Sequence, residues 1–211
     1  MKDPINLVIT GVGGQGNILV SEILAKAASV EGFRVTVGES YGMSQRGGSV
    51  SSHIRLSRNC LYGPIIPAGH VDIIVGFEPV EAARIAIELG SPKVKIIVNP
   101  RPVFPVHVLM GKCEYPHVED LLEKIKEITA QTLAIESTVL AAQAGDPVVQ
   151  NIIMVGALAG SGYLPIPHET FEEIISKVVP QKALELNQKA FKIGFETAQN
   201  INRPKTRLHN T

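Results

Sequence analysis

Tryptophan is absent from the 211 residues, and only six Phe and four Tyr are present. The chain therefore lacks the aromatic platforms on which single-stranded nucleic acids stack. It also lacks a charge excess of either sign. Twenty Lys and Arg face twenty Asp and Glu, with a pI near 7.0, which removes the electrostatic footprint of a nucleic-acid or membrane-surface binder. Cysteine is scarce. Cys60 and Cys113 stand far apart and in no Cys-x-x-Cys pattern, so neither a disulfide framework nor an iron–sulfur cluster, which takes four thiolates, is expected. Two free thiols fit a reducing, cytoplasmic setting. Met1 to Pro4 runs straight into an apolar stretch with no leader pattern, and the longest apolar run, Ile152 to Gly162, is too short to span a bilayer.

Catalytic patterns are missing as well. There is no Gly-Lys-Ser/Thr of a P-loop, no Gly-x-Ser-x-Gly elbow and no His-x-x-x-His pair. His70, His107 and His117 are scattered and no carboxylates cluster at metal spacing, so no metal is expected. Such a chain binds a ligand for chemistry carried out elsewhere.

What is present is a 45% hydrophobic composition, enough for one large α/β domain or a domain with an appendage. Its organising stretch is Gly11-Val12-Gly13-Gly14-Gln15-Gly16. The β-branched run Ile5 to Thr10 before it reads as a buried strand. Asn17 to Val30 after it, with Ile18, Leu19, Ile23, Leu24, Ala27 and Ala28, reads as a helix packed on a sheet. Gly-x-Gly-x-x-Gly on a strand-to-helix turn offers a tight turn at Gly11, close backbone approach at Gly13 and Gly14, and a close helix start at Gly16. The helix start is an anion site through its free N–H groups and its dipole. The same glycines would also serve a tight turn that binds nothing.

Phe33 to Gly38 alternates and reads as a second strand, parallel to the first through the intervening helix. Glu39, 23 residues beyond Gly16, falls where a dinucleotide-binding fold holds a ribose hydroxyl. The polar, glycine-rich stretch Glu39 to Ser49 reads as a long loop, with Arg46 as a planar cation for phosphate or carboxylate and Gly47 and Gly48 permitting close approach. Val50 to Leu56 reads as a half-buried strand with His53 and Arg55 on its outer face, and Cys60 to His70 as an irregular surface excursion. Val71 to Gly76 is a buried strand. The helix after Pro79 carries Val80, Ala83 and Ile87 on one face and stops at Gly90. Val94 to Asn99, Val106 to Met110 and Thr132 to Ile135 read as strands, with helices over Val118 to Ile128 and Ser137 to Ala144.

From Asp146 the pattern is all helix. Asp146-Pro147 caps an apolar helix from Val148 to Ala159, Thr170 to Glu173 forms a capping box, and a last helix spans Gln181 to Ala198. The architecture expected is Rossmann-like α/β: a mostly parallel sheet with helices on both faces and additional C-terminal helices from about residue 146. Residues 1–200 form one domain in this reading, and 201–211 a frayed tail.

Three stretches together carry a resemblance: Gly11 to Gly16, Ser40-Tyr41-Gly42-Met43-Ser44-Gln45-Arg46-Gly47-Gly48, and Asn151-Ile152-Ile153-Met154-Val155-Gly156-Ala157-Leu158. The pattern resembles the gamma-type domain of 2-oxoacid:ferredoxin oxidoreductases over residues 5 to 200, and within it the small subunits acting on indolepyruvate. The resemblance implies a large partner subunit carrying thiamine diphosphate and iron–sulfur clusters, electron delivery to ferredoxin through that subunit, and coenzyme A as acyl acceptor, with no cofactor held by this chain alone. It implies ligand contacts at Gly11, Gly13, Gly14, Gln15, Gly16, Ser40, Tyr41, Gly42, Ser44, Gln45, Arg46, Gly47 and Gly48, chiefly at Gly13, Gly14, Gln15, Tyr41, Ser44, Gln45 and Arg46. Read from the residues alone, an NAD(P)-binding dehydrogenase domain and a non-catalytic nucleotide-sensing or assembly domain remain alternatives.

Overall fold

A computed structural model of the chain describes residues 2–42 and 48–203. The strands are β1 (Ile5–Val12), β2 (Arg34–Tyr41), β3 (Ser49–Ser57), β4 (Val71–Gly76), β5 (Gly90–Val98) and β6 (Gln131–Ala134). They form one sheet in the order β2-β3-β1-β4-β5-β6. β1, β4, β5 and β6 pair in parallel, while β3 runs antiparallel to both β1 and β2. The helices are α1 (Asn17–Val30), α2 (Pro79–Leu89), α3 (Val106–Leu109), α4 (Val118–Ile128), α5 (Ser137–Ala144), α6 (Gln150–Gly160), α7 (His168–Val178) and α8 (Leu184–Asn202). The expected Rossmann-like α/β class holds. No helix among the described residues is long and apolar enough to cross a membrane.

Strand residues alternate between two cores. Leu7 and Ile9 pack with Val20, Ile23 and Leu24 of α1 and Ile152 and Ile153 of α6. Val8, Ile74 and Ile96 pack with Ala82, Ile85 and Ala86 of α2 and Ile125 of α4. Burial on both faces is why these strands read as continuous apolar runs. α1 leaves β1 toward β2, and α2 leaves β4 toward β5, on opposite faces. The switch point therefore lies between β1 and β4, where an open α/β sheet forms its ligand crevice.

Several expectations need correction. β1 and β2 do run in the same direction, but β3 lies between them. The stretch from Glu39 to Tyr41 is the end of β2 rather than loop. Its residues are exposed, so an edge strand imposes no apolar alternation on them. β3 is buried on both faces rather than half-buried: Ile54 and Leu56 join the core with α1, and Ile66 of the 60–70 excursion closes the other face over His53. On α2, Ala82, Ile85 and Ala86 face the sheet, and Ile87 is 75% exposed. Val106 to Leu109 is a single helical turn, not a strand; Pro105 starts it, and the ladder offers it no neighbour. α7 begins at His168, with Pro167 at its cap and no side-chain cap bond. Thr170 instead donates to Glu31 at 2.5 Å. Asp146 does cap, accepting the Val148 N–H at 2.9 Å, but it opens a 3-10 turn over Pro147–Val149 before α6 begins.

Burial of His53 has a measurable consequence. The ring is 6% exposed, its Nδ1 accepts the Ile66 N–H at 3.4 Å, and burial lowers its pKa below the usual histidine value. Unfolded His53 gains a proton near pH 6.5 and the folded residue only at lower pH. This stability is present above that value and is lost as pH falls through the folded pKa. His53→Asn keeps an acceptor for Ile66 but does not titrate. Urea midpoints at about pH 7.5 and about pH 5.5 should therefore fall less on acidification in the variant than in the wild type.

Candidate functional site at the switch point

Three strand ends, those of β1, β4 and β5, meet at the C-terminal edge of the sheet. Gln15 ties the first two together. Its Oε1 accepts the Val12 N–H at 2.8 Å and its Nε2 donates to the Phe77 carbonyl at 3.1 Å. Gly11 lies beneath this strut: a Cβ there would stand 2.4 Å from Gln15 Oε1 and 2.9 Å from Phe77 Cβ. Gly11 and Gln15 thus shape the turn from behind. Gly14 is exposed at φ +100°, and Gly16 opens α1 at φ +81°, both in the left-handed region that glycine favours. A Cβ at Gly16 would also meet Asn151 Nδ2 at 2.5 Å, so the Asn151 motif abuts the helix start.

The β2–β3 hairpin folds back onto this turn. Gly13 N–H donates to the Gly48 carbonyl at 3.0 Å, and Gly42 N–H to the Ser49 carbonyl at 2.7 Å. A cleft of about 530 Å³ lies between hairpin and turn, lined by Gly13, Gly14, Asn17, Ile18, Tyr41 and Val50 among others. Gly16 and Gly42 also reach it. Asn17 is 4% exposed; its amide donates to the Val50 carbonyl at 3.4 Å, while its Oδ1 is buried with no partner among the described residues. Tyr41 donates its hydroxyl to Glu39, which raises the phenol pKa above its ordinary value. Ser40 pairs with Ser51 on the alternate strand face and does not line this cleft. Ser44, Gln45, Arg46 and Gly47 lie outside the described residues.

On its other side the turn borders a second cleft, of about 620 Å³, whose walls include Gln15, Asn99, Arg101, Thr138 and Gln150. Asn99 is 1% exposed. Its amide donates to Thr138 Oγ1 at 2.9 Å, and Thr138 donates to Gln150 Oε1 at 2.9 Å, while Asn99 Oδ1 has no partner among the described residues. These residues escape a reading of the sequence because they are brought together from the residue after β5, from α5 and from α6. The one local signal is an Asn closing an otherwise apolar strand.

Glu39 does not reach the glycine turn as a dinucleotide fold requires. With β3 interposed, β2 stands two strand spacings, roughly 10 Å, from β1, and Glu39 is level with Ser52 and Ile9, short of the strand end. The dehydrogenase reading loses its supporting residue. Next to the site, Glu78 caps α2 by accepting the Glu81 N–H at 2.9 Å, and Tyr115 donates its hydroxyl to it. Burial raises the pKa of Glu78, the Tyr115 bond and backbone N–H groups oppose that shift, and Tyr115 itself is raised by burial and by Glu78. Cys60 and Cys113 are exposed and unpaired, and no group of three metal-binding side chains gathers among the described residues.

The fold and its edge define a Rossmann-like α/β domain with two clefts around one glycine turn. The chain belongs to the pyruvate ferredoxin/flavodoxin oxidoreductase family, whose model matches residues 6–197. It is 39% identical over 197 residues to an indolepyruvate oxidoreductase subunit IorB of Pyrococcus horikoshii, covering 93% of this chain and 96% of that one. A protein of the same name from Archaeoglobus fulgidus is 35% identical over 194 residues, covering 92% and 95%. Among solved structures, the gamma subunit of a keto/oxoacid ferredoxin oxidoreductase from Geobacter sulfurreducens superposes with a TM-score of 0.67 at 26% identity, over 93% of this chain and 99% of that one.

Proposed function

We propose that the chain is the small, cluster-free subunit of an indolepyruvate-type 2-oxoacid:ferredoxin oxidoreductase. In this reading a large subunit carries thiamine diphosphate and iron–sulfur clusters, coenzyme A accepts the acyl group, and ferredoxin receives electrons through the large subunit. Two exposed cysteines are no donor set for a cluster, so the electron path lies in the partner. The domain extent of 1–200 and a cytoplasmic location belong to the same reading.

The observation that carries it is the character of one edge. The two clefts flank the glycine turn, and exposed apolar side chains line them: Ile18 (50%) and Tyr41 (56%) in the first, Val139 (48%) in the second. Phe104 (48%) and Val148 (76%) are next in chain to Val103 and Pro147 of the second cleft, and Leu109 (70%) and Met110 (60%) end the single turn that follows Phe104. Monomeric surfaces scatter such residues; a set of them around a ligand site suits burial under a partner. The large subunit seats on this edge and closes the clefts against water. The positive end of α1 and Arg46 hold anionic groups of coenzyme A, while Gly13 and Gly14 let the ligand lie against the backbone. Asn17 and Asn99 offer their unpartnered carbonyls to N–H or hydroxyl donors of the ligand.

The purified chain alone is expected to be colourless and to reduce no ferredoxin with an arylpyruvate; the large subunit should restore turnover. The visible colour of the preparation and a ferredoxin-reduction assay read the result. A brown, active preparation of this chain alone would overturn the assignment.

A further inference from the structure

α2 begins right beside the hairpin, and its first turns carry a charged group that the ligand site does not itself use. Ser49, the first residue of β3, donates its hydroxyl to Glu81 Oε2 at 2.6 Å. Arg84 Nη2 donates to both the Ser49 hydroxyl and Glu81 Oε2 at 2.6 Å, and its Nε reaches the same carboxylate oxygen at 3.1 Å. Its remaining fork nitrogen, Nη1, is held by Glu88 at 3.1 Å. The Glu81 side chain is only 15% exposed. Ser49 pairs with Val12 across the sheet, so this bracket grips the hairpin level with the glycine turn, on the face opposite Tyr41 and Val50. Gly48, next in chain to Ser49, is the residue whose carbonyl takes the Gly13 N–H.

We propose that Glu81 and Arg84 are positioning residues: through Ser49 they set the height of the hairpin over the glycine turn, and so the width of the cleft between Tyr41 and Gly14. The proposal rests on the reading that this cleft receives coenzyme A. An ionic bracket suits the task. At the hairpin's tip, Ser40 to Gly42 and Gly48 to Val50 are not buried and have little apolar contact to hold them, whereas a guanidinium held by Glu81 on one side and Glu88 on the other fixes direction as well as distance. Neither Glu81 nor Arg84 lines the cleft, so their effect on the ligand passes through the hairpin.

The test is steady-state kinetics of the reconstituted two-subunit enzyme with coenzyme A as the varied substrate. Glu81→Gln and Arg84→Ala should raise KM for coenzyme A about five- to twentyfold with kcat within about twofold, the mark of binding lost equally from ground state and transition state. Ser49→Ala should reproduce the change and Ser49→Thr, which keeps the hydroxyl, should restore the wild-type KM. A purely structural role predicts instead a lower Tm with unchanged KM for coenzyme A, and that result overturns the proposal. Arg46→Ala separates the two levels of inference. If Arg46→Ala raises KM and the bracket variants do not, the bracket is wrong and the site stands; if none of them moves KM, the site reading fails and the bracket with it.

Discussion

Leu109→Asp and Met110→Asp are expected to leave the chain folded and to abolish its assembly with the large subunit. Leu109 is 70% exposed and Met110 60% exposed; both sit at the end of α3, a single turn that contributes no buried residue to the fold. Folding therefore asks nothing of them. Burying a Leu or Met side chain in an interface is worth roughly 1.5–3 kcal/mol, and leaving an Asp there without a partner costs at least a further ~2 kcal/mol. The sum, about 3.5–5 kcal/mol, weakens Kd on the order of a thousandfold. Size-exclusion chromatography and titration calorimetry with the purified large subunit measure it, and ferredoxin reduction should fall in parallel. Ile87→Asp is the control. Ile87 is 75% exposed on α2 and stands toward that helix's far end, away from the clefts, so its replacement should leave Kd within about twofold, as surface changes away from such features do. An unchanged Kd in both Leu109→Asp and Met110→Asp would move the docking edge elsewhere.

How much of this edge is legible in the sequence depends on how local each feature is. The glycine turn is legible, because Gly14 and Gly16 answer a backbone requirement set within six residues. The parallel strands are legible, because burial on both faces leaves apolar runs such as Val71 to Gly76. The hairpin is not: Glu39, Ser40 and Tyr41 look like loop, and only their ladder with Val50, Ser51 and Ser52 makes them strand. The antiparallel insertion of β3 follows from that same pairing, and with it falls the dinucleotide role of Glu39. Asn99, Thr138 and Gln150 are spread over three elements, and no spacing rule joins them. Gln15 is half legible. Its place in the motif marks it, but its use as a strut to Phe77 depends on a strand sixty residues further on.

The Asn151 to Leu158 stretch is a packing signal as much as a functional one, and Gly156→Val should show it by a large loss of stability. α6 and α8 touch backbone to backbone. A Cβ on Gly156 would stand 2.1 Å from the Phe191 carbonyl oxygen, one on Gly160 2.3 Å from that of Phe195, and one on Gly194 2.0 Å from that of Ile153. Each obstacle is main chain of a facing helix, so no side chain can swing aside and the helices must part. Overpacking of this kind costs about 1–3 kcal/mol where neighbours yield, and more where they do not. Gly156→Ala recovers about 1 kcal/mol of helix propensity, leaving a net loss of about 2 kcal/mol and a Tm lower by roughly 4–8 °C for a chain of this size. Gly156→Val adds two methyl groups and little propensity, for a loss of about 4 kcal/mol or more, a large part of the 5–15 kcal/mol that a domain has. Gly63→Ala is the control, since a Cβ there meets nothing within 4 Å and its φ is ordinary. Thermal melts by circular dichroism decide the matter: a Gly156→Val protein as stable as wild type would mean that the helices stand further apart. The fold and the site are joined at this contact. α6 also presents Asn151 to Gly16 and Gln150 to Thr138, so a Gly156→Ala protein that still folds should carry both clefts displaced, and should bind the large subunit and coenzyme A more weakly than its loss of stability alone accounts for.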